Sequence, residues 1–196
     1  RGNARGALLD GVALAATLGA PIKMAMDWEQ RLAELNKVAN KTPQELAAIA
    51  NAAQKLAVET GVAREEIIGA YIAASQAGFA ESEWAQFAEV SAKMGVAFDI
   101  TAEQAGDMMA KWRTAFKMNQ DEVITLADKI NYLGNTTAAS APLISDVVTR
   151  IGPLGSIGGV ASSEIAALGA SMVGSGIQSE VAATGIKNLI LAMVSG

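Results

Sequence analysis

The side chains present limit the chemistry open to this chain. Neither Cys nor His occurs. That removes thiol nucleophiles, disulfides, imidazole bases and the common zinc sites. Without Cys, the redox compartment is left open. The carboxylates that could serve hydrolysis are Glu65, Glu66, Glu81 and Glu83, since glycoside hydrolysis needs a carboxylic acid of raised pKa. Each lies at the start of a predicted helix. There the helix dipole favours the ionised form, and acidic residues are expected on structural grounds alone. The sequence therefore assigns no catalytic residue, and it offers no cofactor-binding or metal-ligating set either.

Two other patterns invite a chemical reading. Gly152-Pro153-Leu154-Gly155-Ser156-Ile157-Gly158-Gly159 is rich enough in glycine to cradle a phosphate. No strand pattern precedes it, however, and no Gly-Lys-Ser/Thr follows, so it reads as a flexible connector between helices. Met108 and Met109 beside Trp112 could form an adaptable partner-binding surface, but at helical spacing they read first as a core stripe. The formal charge of −5 and pI near 4.8, with no Lys/Arg cluster, argue against specific nucleic-acid binding.

The elements that would position these residues are helices. Hydrophobic residues make up 51% and aromatics only 5% of the 196 residues, so the apolar content is mostly Ala, Leu, Ile, Val and Met. Ala, Leu and Met are strong helix formers. The spacing predicts an all-α array of about nine or ten short-to-medium helices with Gly, Pro and Thr at the turns and no sheet. A first helix is expected over Arg5–Leu18, closed by Gly19, and a second after Pro21 carrying Trp28, Leu32, Leu35 and Ala39 on one face. Thr42-Pro43-Gln44-Glu45 and Thr101-Ala102-Glu103-Gln104 are capping boxes, and Asn119 with Glu122 caps a further helix. Helices are also expected over Arg64–Ala77, Ser82–Met94 and from Ser140 to about Arg150, the last followed by the connector at 152–159. The most membrane-like run, Gly11–Met26, is interrupted by Pro21 and Lys23 and falls short of the roughly 20 apolar residues a spanning helix needs. It reads as a buried helix.

The pattern divides into a helical module over residues 1–134 and an apolar, Gly-rich helical hairpin over residues 135–196. Beyond Gly152 the only charged residues are Glu164, Glu180 and Lys187. Ala166, Ala170 and Gly174 recur at a spacing of four, which permits close helix–helix approach. Two readings of this region stand side by side. One is a buried hairpin. The other is a surface that packs on copies of itself, on another protein or on a membrane, because few charges remain to solvate an exposed face. The first residue is Arg1 and the last, Gly196, lies in an apolar stretch, so the chain reads as a piece of something longer.

In order and spacing these landmarks resemble the core region of bacteriophage (or tailocin) tail tape measure proteins. The matching residues are Thr42-Pro43-Gln44-Glu45-Leu46, Ala77-Gly78-Phe79, Met94-Gly95-Val96, Thr101-Ala102-Glu103-Gln104-Ala105 and Asn135-Thr136-Thr137-Ala138-Ala139-Ser140. The Gly152–Gly159 connector, Leu168-Gly169-Ala170-Ser171-Met172-Val173, Gly176-Ile177 and Ala182-Ala183-Thr184-Gly185 complete the series. The likeness extends over about Met24–Met193, and Trp84 and Trp112 are bulkier than that pattern usually carries.

The resemblance implies a structural, non-enzymatic protein of the virion. It would sit inside the tail tube after assembly in the host cytoplasm, support tube assembly and length determination, and leave ahead of the DNA during infection. Implied partners are the tail tube protein, the tail tip or baseplate hub proteins, the tail assembly chaperones and further copies of itself, in threes or sixes. The host membrane is a further contact after ejection. The alternatives are a membrane-active pore-forming helical protein and a peptidoglycan-degrading tail-associated enzyme. On physical grounds alone, a segment broken every 12 to 18 residues or so and lacking a sustained heptad seam should pack as a module instead of extending as a measuring rod.

Overall fold

The computed structural model describes residues 23–195, apart from the side chains of residues 155–157. The expected first helix, Pro21 and the membrane-like run as far as residue 22 lie outside the described residues. Nine helices and no strand occur among the described residues. They are α1 (residues 23–39), α2 (Pro43–Thr60), α3 (Arg64–Gln76), α4 (Glu81–Phe98), α5 (Ala102–Phe116), α6 (Gln120–Thr136), α7 (Ala141–Gly158), α8 (Ser162–Gly174) and α9 (Ser179–Ser195).

Local chemistry sets most of the helix starts. At α2 the Glu45 amide donates to Thr42 Oγ1 at 3.4 Å, and the Glu45 carboxylate accepts from the Thr42 amide at 2.8 Å. The same reciprocal pair recurs at Thr101/Gln104, at 3.1 and 3.0 Å, and at Asn119/Glu122, at 3.0 and 2.8 Å. Each satisfies amides that the first helical turn would otherwise leave unpaired. Pro43 and Pro142 occupy first-turn positions, where a missing N–H costs nothing. Gly61, with φ 72°, ends α2 in the left-handed region; Asp99 and Lys117, both at φ 56°, end α4 and α5 in the same way.

Three elements differ from the expected boundaries. α4 continues through Gly95 to Phe98. α6 runs past the division expected at residue 134 and takes in Asn135 and Thr136; the Thr136 hydroxyl donates to the Tyr132 carbonyl at 2.7 Å and so stays within the helix. The largest difference is α7, which continues through Pro153 to Gly158. The 152–159 stretch, expected as a flexible connector, is therefore mainly helix, and only Gly159, with φ 65°, turns the chain. Packing overrides local propensity here, because absent side chains let α7 lie close to its neighbours. A Cβ at Gly152 would fall 2.6 Å from Ala115 Cβ of α5, and one at Gly158 would fall 2.3 Å from Ile190 Cγ2 of α9.

The buried side chains form one cluster that runs from Leu35 to Ile190. α5 packs on α3 and α4 around Phe87, Ala88, Met109 and Trp112, and α7 carries α8 and α9 around Ile144, Val147, Ile165 and Ile186. Contact between α5 and α7 joins the two groups, and α6 lies against α4, α5, α7 and α8. Full burial of each Ile, Leu or Phe contributes about 1.5–3 kcal/mol.

Candidate interaction surface

The four glutamates with hydrolytic potential occupy structural positions. Glu65 pairs with Arg64 at 3.0 Å. Glu66 accepts from the Ala102 amide at 2.9 Å, so a side chain of α3 caps the start of α5. Glu81 pairs with Lys41, and Glu83 accepts from the Ala80 amide at 2.8 Å, at the start of α4. The fold ties them to different helix termini and does not gather them around a cleft. Among the described residues, no group of three or more Asp and Glu side chains is placed to hold a metal ion.

Met109 and Trp112 are fully buried and Met108 is half-buried, so this stripe belongs to the core. Its polar end is satisfied: Trp112 Nε1 donates to Thr149 Oγ1 at 2.9 Å.

The apolar C-terminal helices behave in two ways at once. On α8, Ala166 and Ala170 are buried, and a Cβ at Gly169 would lie 3.0 Å from Val147 Cγ1. The absent side chain at Gly169 thus lets α8 seat closely on α7. On α9, Ala182, Ala183, Ile186 and Ile190 are buried. The exposed side mixes polar and apolar residues, with Thr184, Lys187 and Asn188 among them. Val181, Leu189 and Met193 share a stripe with Gly185 at intervals of four, and they are 58%, 50% and 67% exposed. Leu191 and Val194 are exposed as well. Exposed apolar patches mark interaction surfaces. Among the described residues no helix is long and apolar enough to cross a membrane.

Charge gathers at the other end of α9. Asp146 Oδ2 accepts from Ser179 Oγ at 2.6 Å and from Arg150 Nε at 2.8 Å. Arg150 also reaches Glu180 at 3.0 Å. The hydrogen bond to Asp146, followed by its charge, holds the Arg150 guanidinium above its ordinary pKa. This cluster fixes the start of α9 to α7, so the helix leaves its anchor with its outer stripe facing away from the fold. Sequence reading missed the clamp. The i,i+4 spacing of Asp146 and Arg150 was its visible half; the partners on α9 became available only through the fold.

Comparison with known proteins agrees with this picture of a helical structural segment. Residues 50–196 match the family model of phage-related minor tail proteins. The chain is 34% identical over 209 aligned residues to a probable tape measure protein of Halomonas phage phiHAP-1, an alignment covering 100% of this chain and 24% of that protein. It is 27% identical over 185 residues to a probable tape measure protein of Escherichia phage P2, covering 92% of this chain and 23% of that protein. The chain thus spans about a quarter of the length of these relatives. No solved structure matches it. With the family match reaching from α2 to the end of the chain, this protein belongs to the phage-related minor tail protein family.

Proposed function

We propose that this chain is a packed, structural segment of a tail tape measure protein, and that it acts in tail assembly and genome delivery by binding other tail components, without catalysing a reaction. The observation that carries the reading is the 34% identity across the whole chain to a protein named as a tape measure protein. The apolar outer stripe of α9 supports a binding role, since Val181, Leu189 and Met193 are exposed on a helix whose other face is already buried. Candidate partners are the tail tube protein, the tail tip or hub proteins, the assembly chaperones and further copies of the chain in threes or sixes. The location is the tail tube lumen after assembly in the host cytoplasm. In this reading the segment divides near residue 134 into a helical part that supports the fold and an apolar part, residues 135–196, that meets partners.

The packed helices also bear on length. Spanning a tube requires an extended element rising about 1.5 Å per residue, whereas α3 to α9 fold back on one another. The ruler function then belongs to other parts of the full-length protein, and this segment acts at a fixed place.

The test is to introduce Leu189→Lys with Met193→Lys into the full-length gene of a phage carrying this chain. Both side chains are exposed, so the fold should tolerate the change. Loss of tailed particles, with the protein still soluble and helical, is the expected result. Normal numbers of infectious tailed particles would overturn the binding role of this face.

A further inference from the structure

The first described helix, α1, is lightly attached. Of its 17 described residues only Leu35 is fully buried, against three of 18 in α2 and seven of 13 in α3. Trp28, Leu32 and Ala39 are half-buried. Polar contacts supply much of the remaining attachment. Arg31 forms a two-pronged bridge to Glu103 of α5, at 2.7 and 3.3 Å, across 72 residues of sequence. The Arg64 guanidinium of α3 stacks 4.3 Å from the centre of the Trp28 ring.

The stem of Glu103 lies across α3 at Gly69, where an added Cβ would come within 2.8 Å of Glu103 Cγ. The bridge therefore spans the α3–α5 seam. Its two side chains are 33% and 36% exposed, so salt can reach it.

We propose that α1 is a releasable strap, latched across the α3–α5 seam by the Arg31–Glu103 bridge, that comes free while α3 to α9 stay folded. Segments with few buried apolar contacts occupy the low end of local opening free energies, and an interhelical ion pair at the surface is the part of such an attachment that ionic strength weakens. Arg31 also pairs with Glu34 of its own helix at 3.2 Å. When Glu103 lets go, the guanidinium retains that partner, so this pair is present whether α1 is docked or free. Release uncovers the apolar seat of Leu35.

Hydrogen exchange read by mass spectrometry on the full chain tests this, at ionic strengths of about 0.05 and about 0.5 M, in the wild type and in Glu103→Gln and Glu34→Gln. Amides of residues 23–39 should exchange faster than those of α3 and α5. They should speed up by about threefold to tenfold at high salt or in Glu103→Gln, with α3 and α5 unchanged. Glu34→Gln, which leaves the interhelical bridge in place, should leave α1 exchange near the wild-type rate. Exchange of α1 in step with α3 and α5 would overturn the strap. Indifference of α1 to salt or to Glu103→Gln, or an equal acceleration by Glu34→Gln, would overturn the latch.

Discussion

The indole N–H of Trp112 donates to the Thr149 hydroxyl at 2.9 Å, and that hydroxyl donates onward to the Ser145 carbonyl at 2.8 Å. This chain of two hydrogen bonds crosses the α5–α7 contact where the two groups of helices meet. Trp112 is fully buried, so its N–H has no water to fall back on. Thr149→Val should leave that donor unpaired at a cost of about 1–3 kcal/mol, and Trp112→Ala should cost about 3–5 kcal/mol through the cavity it opens. Urea denaturation followed by circular dichroism measures both. A Thr149→Val midpoint equal to wild type would mean that this hydrogen bond does not hold the junction.

Two glycines in helices should respond oppositely to alanine. Alanine is the better helix former by about 1 kcal/mol. At Gly152 the new Cβ would meet the Cβ of Ala115 at 2.6 Å, a group that cannot rotate away. At Gly185 it would meet only the terminal methyl of Met172, at 3.2 Å. Gly152→Ala is expected to destabilise by about 1–3 kcal/mol, and Gly185→Ala to be neutral or stabilising. Thermal melting of the two variants decides it, and equal shifts would contradict the close approach of α7 to α5.

The start of α2 should depend on pH. The backbone hydrogen bond from Thr42, then that from its hydroxyl, holds the Glu45 carboxyl below the usual carboxylate range. A carboxyl depressed in the folded state adds stability that is fully present above its unfolded pKa of about 4.3 and is lost as pH falls through the lower folded value. Exchange of the first α2 amides should therefore accelerate as pH drops below about 4, beyond the intrinsic rate change. Glu45→Gln keeps the amide acceptor and should flatten that response. An unchanged pH response in the variant would assign the effect to another group.

Much of this fold was legible in the sequence where one turn of helix carries its own signal. Thr42/Glu45, Thr101/Gln104 and Asn119/Glu122 name both partners of each cap within four residues, and the structure forms all three. The Met109 and Trp112 stripe was equally readable, because its period matches a buried helix face. The end of α7 was not. Gly152, Pro153 and Gly158 weaken a helix by propensity, and only the closeness of Ala115 and Ile190, distant in sequence, shows why small residues stand there. The α9 surface was half legible. Its scarcity of charge left a buried hairpin and a surface packing on a partner as equal readings, and the structure buries one side of α9 and leaves residues of the other exposed.

The central claim is that this segment works as a packed structural module within a tail tape measure protein. Its most direct test is to delete Pro43 to Met193 in frame from the full-length gene and measure tail lengths by electron microscopy. Tails should either fail to initiate or keep their length while losing DNA delivery. Tails that form and shorten by about 1.5 Å per deleted residue would show that the segment is part of the ruler and would contradict that claim.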